Sequence, residues 1–115
     1  MATTFKTGTK AGVTSLDVIY TVASSTTTVV LGLMLGNTTT SQVTATVTLN
    51  SDTAARSGAN DEANQAVELI TNAPIPAGSS LELLGGNKVV LETTDEIKVS
   101  ASGATDVSLR IMEIT

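Results

Sequence analysis

Residues 42–49 read Gln-Val-Thr-Ala-Thr-Val-Thr-Leu, with apolar side chains at every second position and threonines between them. Successive side chains of a β-strand point to opposite faces, so this alternation predicts a strand with one buried face. Valine and threonine are β-branched, and their restricted side chains suit a pleated strand better than a helix. Because the whole chain contains twenty-one threonines and twelve valines, the preference for sheet extends well beyond this stretch.

Similar short apolar patterns recur on both sides of residues 42–49. The further predicted strands are 15–22, 28–35, 67–70, 81–83, 89–91, 97–101 and 107–111. In the first of them, one face carries the side chains expected in the core, which are Leu16, Val18, Tyr20 and Val22. The turn at residues 85–87, Gly-Gly-Asn, predicts a hairpin between its two flanking strands. Pro74 and Pro76 cannot donate to a ladder, so they predict a bend or an edge strand.

About eight short strands with turn signals every eight to twelve residues are typical of a β-sandwich or barrel. A closed barrel of this size needs more large interior side chains than this chain offers. We therefore predict an all-β protein, a two-sheet β-sandwich of jelly-roll or immunoglobulin-like type, spanning residues 13–115. Residues 1–12 lack a core pattern and are expected to form an extended N-terminal arm, either free or laid on a neighbouring subunit.

Composition argues against several kinds of partner. The net charge is −5, and the six basic residues are scattered along the chain rather than clustered as phosphate binding requires. Aromatic residues make up 2% of the chain, too few for the stacking surfaces of single-strand binders and of most carbohydrate-binding faces. No apolar run approaches the length of a membrane span. We expect no nucleic acid and no membrane partner, and a soluble product made and used in the cytosol.

Catalytic chemistry is also not predicted. The chain has no histidine and no cysteine, which removes the usual general base, the thiol nucleophile and the Ser-His-Asp arrangement. Residues 50–65 form a polar excursion, with a helical turn possible near 61–66, and Asp61 and Glu62 offer oxygen atoms to a calcium ion. Their spacing matches no EF-hand loop, so a polar loop is favoured. We predict no catalytic residues, no cofactor, no metal and no small-molecule substrate.

Apolar residues on both faces of a strand indicate a second contact surface. Met112 and Ile114 fall opposite the core face of the last strand, and Val30 and Met34 fall opposite the leucines of residues 28–35. Each pair is expected either to meet another protomer or to be buried within the sandwich. With the arm, the predicted interface residues are Phe5, Val30, Met34, Met112 and Ile114.

Residues 72–83 read Asn-Ala-Pro-Ile-Pro-Ala-Gly-Ser-Ser-Leu-Glu-Leu. Together with residues 88–92, 95–99 and 113–115, this segment resembles small virion structural proteins of tailed bacteriophages. The resemblance is clearest over residues 70–115 and is to the head decoration or cement type. It implies a non-enzymatic homotrimer on the capsid surface that stabilises contacts between major capsid proteins. Pro-x-Pro-x-Gly also occurs in adhesin-like and fibre domains.

Two alternatives therefore stay open. One is a tail, neck or fibre subunit built on the same sandwich. The other is a host receptor- or carbohydrate-binding module that uses residues 50–65 as its recognition surface.

Overall fold

A computed structural model describes residues 2–51, 65–84 and 88–115, and within them the chain is all-β with no helix. The strands are β1 (Thr3–Val13), β2 (Asp17–Thr21), β3 (Thr27–Asn37), β4 (Val43–Ser51), β5 (Gln65–Ile75), β6 (Ser80–Leu83), β7 (Val89–Leu91), β8 (Glu96–Ala101) and β9 (Thr105–Ile114). The predicted fold class is confirmed.

Two antiparallel sheets form the sandwich. The front sheet has the order β1-β9-β3-β6, with β7 also paired to β3, and the back sheet has the order β2-β8-β4-β5. These two orders are those of a jelly roll, the first of the two predicted sandwich types. The first and last strands are neighbours in the front sheet, and their ends are joined where Ala2 and Thr115 exchange two backbone hydrogen bonds of 3.2 and 2.9 Å.

The core lies between the sheets and is built from alternate strand positions. In β4 the predicted alternation is reproduced, with Val43, Ala45 and Val47 buried and the threonines between them half-buried. The buried apolar residues are Val13, Val22, Val30, Leu33, Leu35, Val43, Ala45, Val47, Ile75, Leu83, Leu91, Ile97, Val99, Ala101, Val107, Leu109 and Ile111. Each fully buried leucine or valine stabilises the fold by roughly 1.5–3 kcal/mol relative to exposure.

A β-bulge in β2 changes which residues face the core. The register against β8 shifts between Val18 and Tyr20, so Ile19 and Tyr20 both pack against the core while Val18 turns to solvent. Leu16 is 59% exposed and Val18 is 42% exposed. The prediction that both lie in the core is wrong, because one inserted residue reverses the alternation of the strand.

The predicted N-terminal arm is part of the sandwich. From Thr3 to Lys10 it pairs in unbroken antiparallel register with β9 of the same chain, and it forms the edge of the front sheet. Most of its residues are exposed, because the back sheet does not cover this strand. Without a buried face, β1 has no apolar alternation, which is why the sequence predicted an arm.

The predicted hairpin is also corrected. β6 and β7 do not pair with each other, because both are short enough to lie end to end along the eleven-residue β3. Pro74 lies in β5, which is an edge strand as its sequence predicted. Of the predicted excursion, residues 50 and 51 belong to β4 and residue 65 to β5, while 52–64 lie outside the described residues, as do 85–87.

Candidate functional site

The outer face of the front sheet carries a row of apolar side chains that crosses four strands. Phe5 of β1 lies opposite Met112 of β9, Met112 lies opposite Val29 of β3, and Val29 lies opposite Val90 of β7. Directly opposite residues point to the same face of a sheet, so these four side chains, called the apolar row below, lie side by side. With strands about 4.8 Å apart, the row is about 14 Å long.

The apolar row is open to solvent. Phe5 is 69% exposed and Val90 is 59% exposed, while Met112 and Val29 between them are partly exposed. Leu31, 37% exposed, lines a shallow depression together with Phe5, Thr7 and Arg110 and so extends the apolar surface. Contiguous exposed apolar side chains of this kind mark contact sites for other molecules more often than isolated ones do.

Of the five predicted interface residues, the structure brings three together. Phe5 and Met112 belong to the apolar row, and Ile114 lies next to it in β9, opposite Thr3 and Thr27. Val30 is different, because it is 1% exposed and belongs to the core. A register shift between Val30 and Gly32 turns Leu31 outward and leaves Val30 pointing inward, so Val30 does not reach another protomer.

Met34, the fifth predicted residue, lies on the same outer face but away from the apolar row. It borders a shallow depression of about 330 Å³ near the other end of β1. The remaining walls are formed by Thr9, Lys10, Ala11, Gly36, Asp106, Val107 and Ser108. Because Gly36 has no side chain and Ser108 has a small one, the floor of this depression is the sheet backbone itself.

Three residues of the exposed surface escaped the sequence analysis, namely Val29, Leu31 and Val90. The signal for Val90 was present, since strict alternation in Val89-Val90-Leu91 places it on the face opposite the partly buried Val89 and the buried Leu91. A signal for the bulge that exposes Leu31 was present too, because an isolated glycine inside a strand pattern, here Gly32, often marks a bulge.

A polar network on the inner face of the front sheet, opposite the apolar row, ties the two sheets together. The Tyr20 hydroxyl of the back sheet donates to Glu113 Oε2 at 2.6 Å and lies 2.7 Å from Thr28 Oγ1. Glu113 also pairs with Lys6, whose Nζ lies 2.7 Å from Oε1. Burial and the bond to Glu113 raise the pKa of Tyr20 to about 12. The hydrogen bonds from Lys6 and Tyr20 lower the pKa of the Glu113 carboxyl.

Tyr20→Phe is expected to destabilise the fold at neutral pH by about 1 kcal/mol, a value reduced because the site is partly exposed. The folded Tyr20 holds its proton up to about pH 12 while the unfolded tyrosine titrates near 10.0, so wild-type stability falls between these pH values. Urea unfolding at pH 9 and pH 11 measures this fall, and the variant should lose less stability than the wild type over the interval. An equal loss in both proteins contradicts the assignment to Tyr20.

The described part of the chain offers no group of three acidic, histidine or cysteine side chains placed to hold a metal ion. The predicted polar loop with Asp61 and Glu62 lies outside the described residues. Among the residues that the structure describes, no helix has the length and apolar character to cross a membrane.

No family model matches the sequence, and no curated protein is similar to it. A solved structure titled as a novel family of disulfide-linked pili, the Bacillus endospore appendages, aligns with 99% of this chain and 87% of its own at 14% identity and a TM-score of 0.47. Such a distant likeness carries no argument about function. The present chain contains no cysteine and forms no disulfide.

Proposed function

We propose that this chain is a non-enzymatic structural protein of a tailed-phage virion, specifically a capsid decoration protein that stabilises contacts between major capsid proteins. The observation that carries the proposal is the exposed apolar row on the front sheet. An apolar surface of this kind is stabilised by removal from water against another protein. The major capsid protein is the partner that the sequence resemblance implies, and the virion surface is the corresponding location.

The chemistry of the apolar row suits a protein partner better than a sugar. Its four side chains include one aromatic ring and present no hydroxyl or amide group for hydrogen bonding to a carbohydrate. Rows of aliphatic side chains instead pack against apolar side chains, with charged groups such as Arg110 at the rim. Residues 52–64 of the stretch considered for receptor binding lie outside the described residues, and the choice of the capsid over a tail, neck or fibre location is taken from the sequence resemblance.

Val90→Asp is expected to weaken binding of the purified protein to capsids stripped of it by about tenfold or more. The change removes a buried valine contact and places a carboxylate in an apolar interface, together worth at least about 1.4 kcal/mol. Sedimentation of stripped capsids with added protein measures the bound fraction. Val67→Asp is the matched control, since Val67 is 49% exposed on the back sheet and lies outside the apolar row.

Equal binding by the two variants contradicts docking through the apolar row.

A separate experiment tests the role as a capsid decoration protein. Capsids without this protein are expected to lose their genomes at a lower temperature than complete capsids, and equal heat resistance contradicts the decoration role.

A further inference from the structure

Among the described residues, no strand pairs with the outer edge of β1, which therefore presents a line of backbone hydrogen-bonding groups. Ala2 and Thr115 exchange two backbone hydrogen bonds, and the register against β9 is unbroken from there to Lys10. In an antiparallel ladder, every second residue directs its N–H and C=O to one neighbour and the residues between direct theirs to the other side. The even-numbered residues of β1 therefore bond to β9, while Thr3, Phe5, Thr7 and Thr9 direct their backbone groups away from the sheet.

The other described sheet edges are less suited to pairing. β5 is as long as β1, but it contains Pro74 and an irregularity at Asn72, where φ is 49°. β2 has five residues, and the opposite edge of the front sheet is divided between β6 and β7. Proline, bulges and short strands are the usual means by which proteins prevent edge pairing. β1 has none of these between Thr3 and Lys10.

Lysines also protect sheet edges, but those of β1 are engaged within the chain. Lys6 Nζ lies 2.7 Å from Glu113 Oε1, and Lys10 Nζ lies 3.4 Å from Asp17 Oδ2. Both lysines are on the inner side of the front sheet, since they lie opposite the buried Ile111 and Val107. Their charges are thus partly neutralised and turned away from Phe5 and the threonines of the outer face.

We propose that two copies of this chain pair through β1 in an antiparallel, two-fold symmetric arrangement, with Thr7 opposite Thr7 of the second copy. Phe5 then lies opposite Thr9 of the second copy, and the outward-facing residues exchange backbone hydrogen bonds. The two five-stranded front sheets become one continuous ten-stranded sheet.

Charge selects this register over its neighbours. With Thr7 opposite Thr7, Lys6 lies opposite Gly8 of the second copy, whose missing side chain leaves room for the lysine stem. Shifting the second copy by two residues in either direction places Lys6 opposite Lys6 or opposite Lys10, and like charges directly opposite each other are destabilising. A larger shift either shortens the paired segment or carries it into the irregularity between Lys10 and Val13.

The same register gives the exposed ring of Phe5 a place to pack. On the second copy, the residue opposite Phe5 is Thr9, which forms one wall of the depression beside Met34. By symmetry, each copy covers the depression of the other with its own Phe5. The pairing therefore removes from water both the most exposed large apolar side chain and the depression beside Met34, and it leaves Met112, Val29 and Val90 of the apolar row exposed.

Cysteine cross-linking tests the register, because the wild-type chain has no cysteine. Thr7→Cys places two sulfur-bearing residues opposite each other with Cα atoms about 5.5 Å apart, within the range of a disulfide. Thr9→Cys places them about 13 Å apart along the strands. Under mild oxidation the first variant is expected to form a covalent dimer at least about tenfold faster than the second, and the two should react equally in denaturant. Equal rates in the folded proteins overturn the proposed register.

Solution mass tests the edge itself. The wild-type protein and Thr7→Ala are expected to be dimers of the 11.7 kDa chain, whereas Thr7→Pro, which removes an outward N–H, is expected to be monomeric. Circular dichroism tests whether the proline variant is folded. If it is unfolded, the ratio of cross-linking rates of Thr7→Cys and Thr9→Cys tests the proposed pairing instead. A trimeric wild type, the state that the sequence resemblance implies, overturns the proposal because one isologous edge pairs only two copies, and a monomeric wild type overturns it as well. These measurements need no capsid, so their outcome is independent of the capsid-binding experiment with Val90→Asp.

Discussion

Asn37→Asp is expected to destabilise the fold by about 3 kcal/mol or more. The Asn37 side chain is buried at the end of β3, and its amide Nδ2 donates to the carbonyl oxygens of Ser41 at 2.8 Å and Ile75 at 2.9 Å. Its Oδ1 accepts from the backbone N–H and the hydroxyl of Thr39. A carboxylate cannot donate, so the substitution sets a buried negative charge against two carbonyl oxygens.

Urea unfolding at pH 7 measures the loss, and Thr40→Asp is the control because it adds the same charge to an exposed position in the same turn. The control should change stability by less than about 0.5 kcal/mol. The loss at position 37 is expected to shrink as the pH falls, since a protonated carboxyl regains one donor. A loss under 1 kcal/mol at pH 7 contradicts the assigned role of Asn37.

Leu109→Ala is expected to cost about 2–5 kcal/mol of stability. Leu109 is 0% exposed and lies in β9 at the centre of the front sheet, opposite Leu33 on one side and Gly8 on the other. Because Gly8 has no side chain to move into the space, the cavity left by the truncation stays largely unfilled.

The midpoint of urea unfolding should fall with an unchanged slope, which indicates a loss of stability without a change in the surface exposed on unfolding. Leu16→Ala removes the same atoms from a side chain that is 59% exposed, and it should alter stability by less than about 0.5 kcal/mol. Similar losses at the two positions contradict the placement of Leu109 in the core.

The sequence was most informative where a strand has one covered face. In β4 the alternation of Val43, Ala45 and Val47 with threonines specified both the strand and its buried side, and the structure reproduces them. In β2 and β3 a single inserted residue reversed the alternation, so Leu16 was assigned to the core and Val30 to the surface, the opposite of what is found. A bulge changes which residues face the core beyond it, and the period-two alternation of apolar residues assumes that no bulge is present.

Predictions about the exposed face depended on strand order, which the sequence did not supply. Phe5 was selected as an apolar residue of the N-terminal arm and Met112 as an apolar residue off the core face of the last strand, but nothing local indicated that they are direct neighbours. Their proximity follows from the pairing of β1 with β9, strands at opposite ends of the described chain. Val29 and Val90 join the same row only through β3, so the apolar row is a property of the sheet and not of any one segment.

The position of β9 also has a consequence for how the molecule is made. It lies between β1 and β3 in the front sheet, yet it is the last of the nine described strands to leave the ribosome. Until residues 105–114 emerge, neither β1 nor β3 has its principal neighbour, and Leu33 and Leu35 of β3 lack the adjacent side chains of Leu109 and Val107. The front sheet is therefore completed only once β9 has emerged, and a shorter nascent chain exposes apolar side chains and unpaired strand edges that favour aggregation.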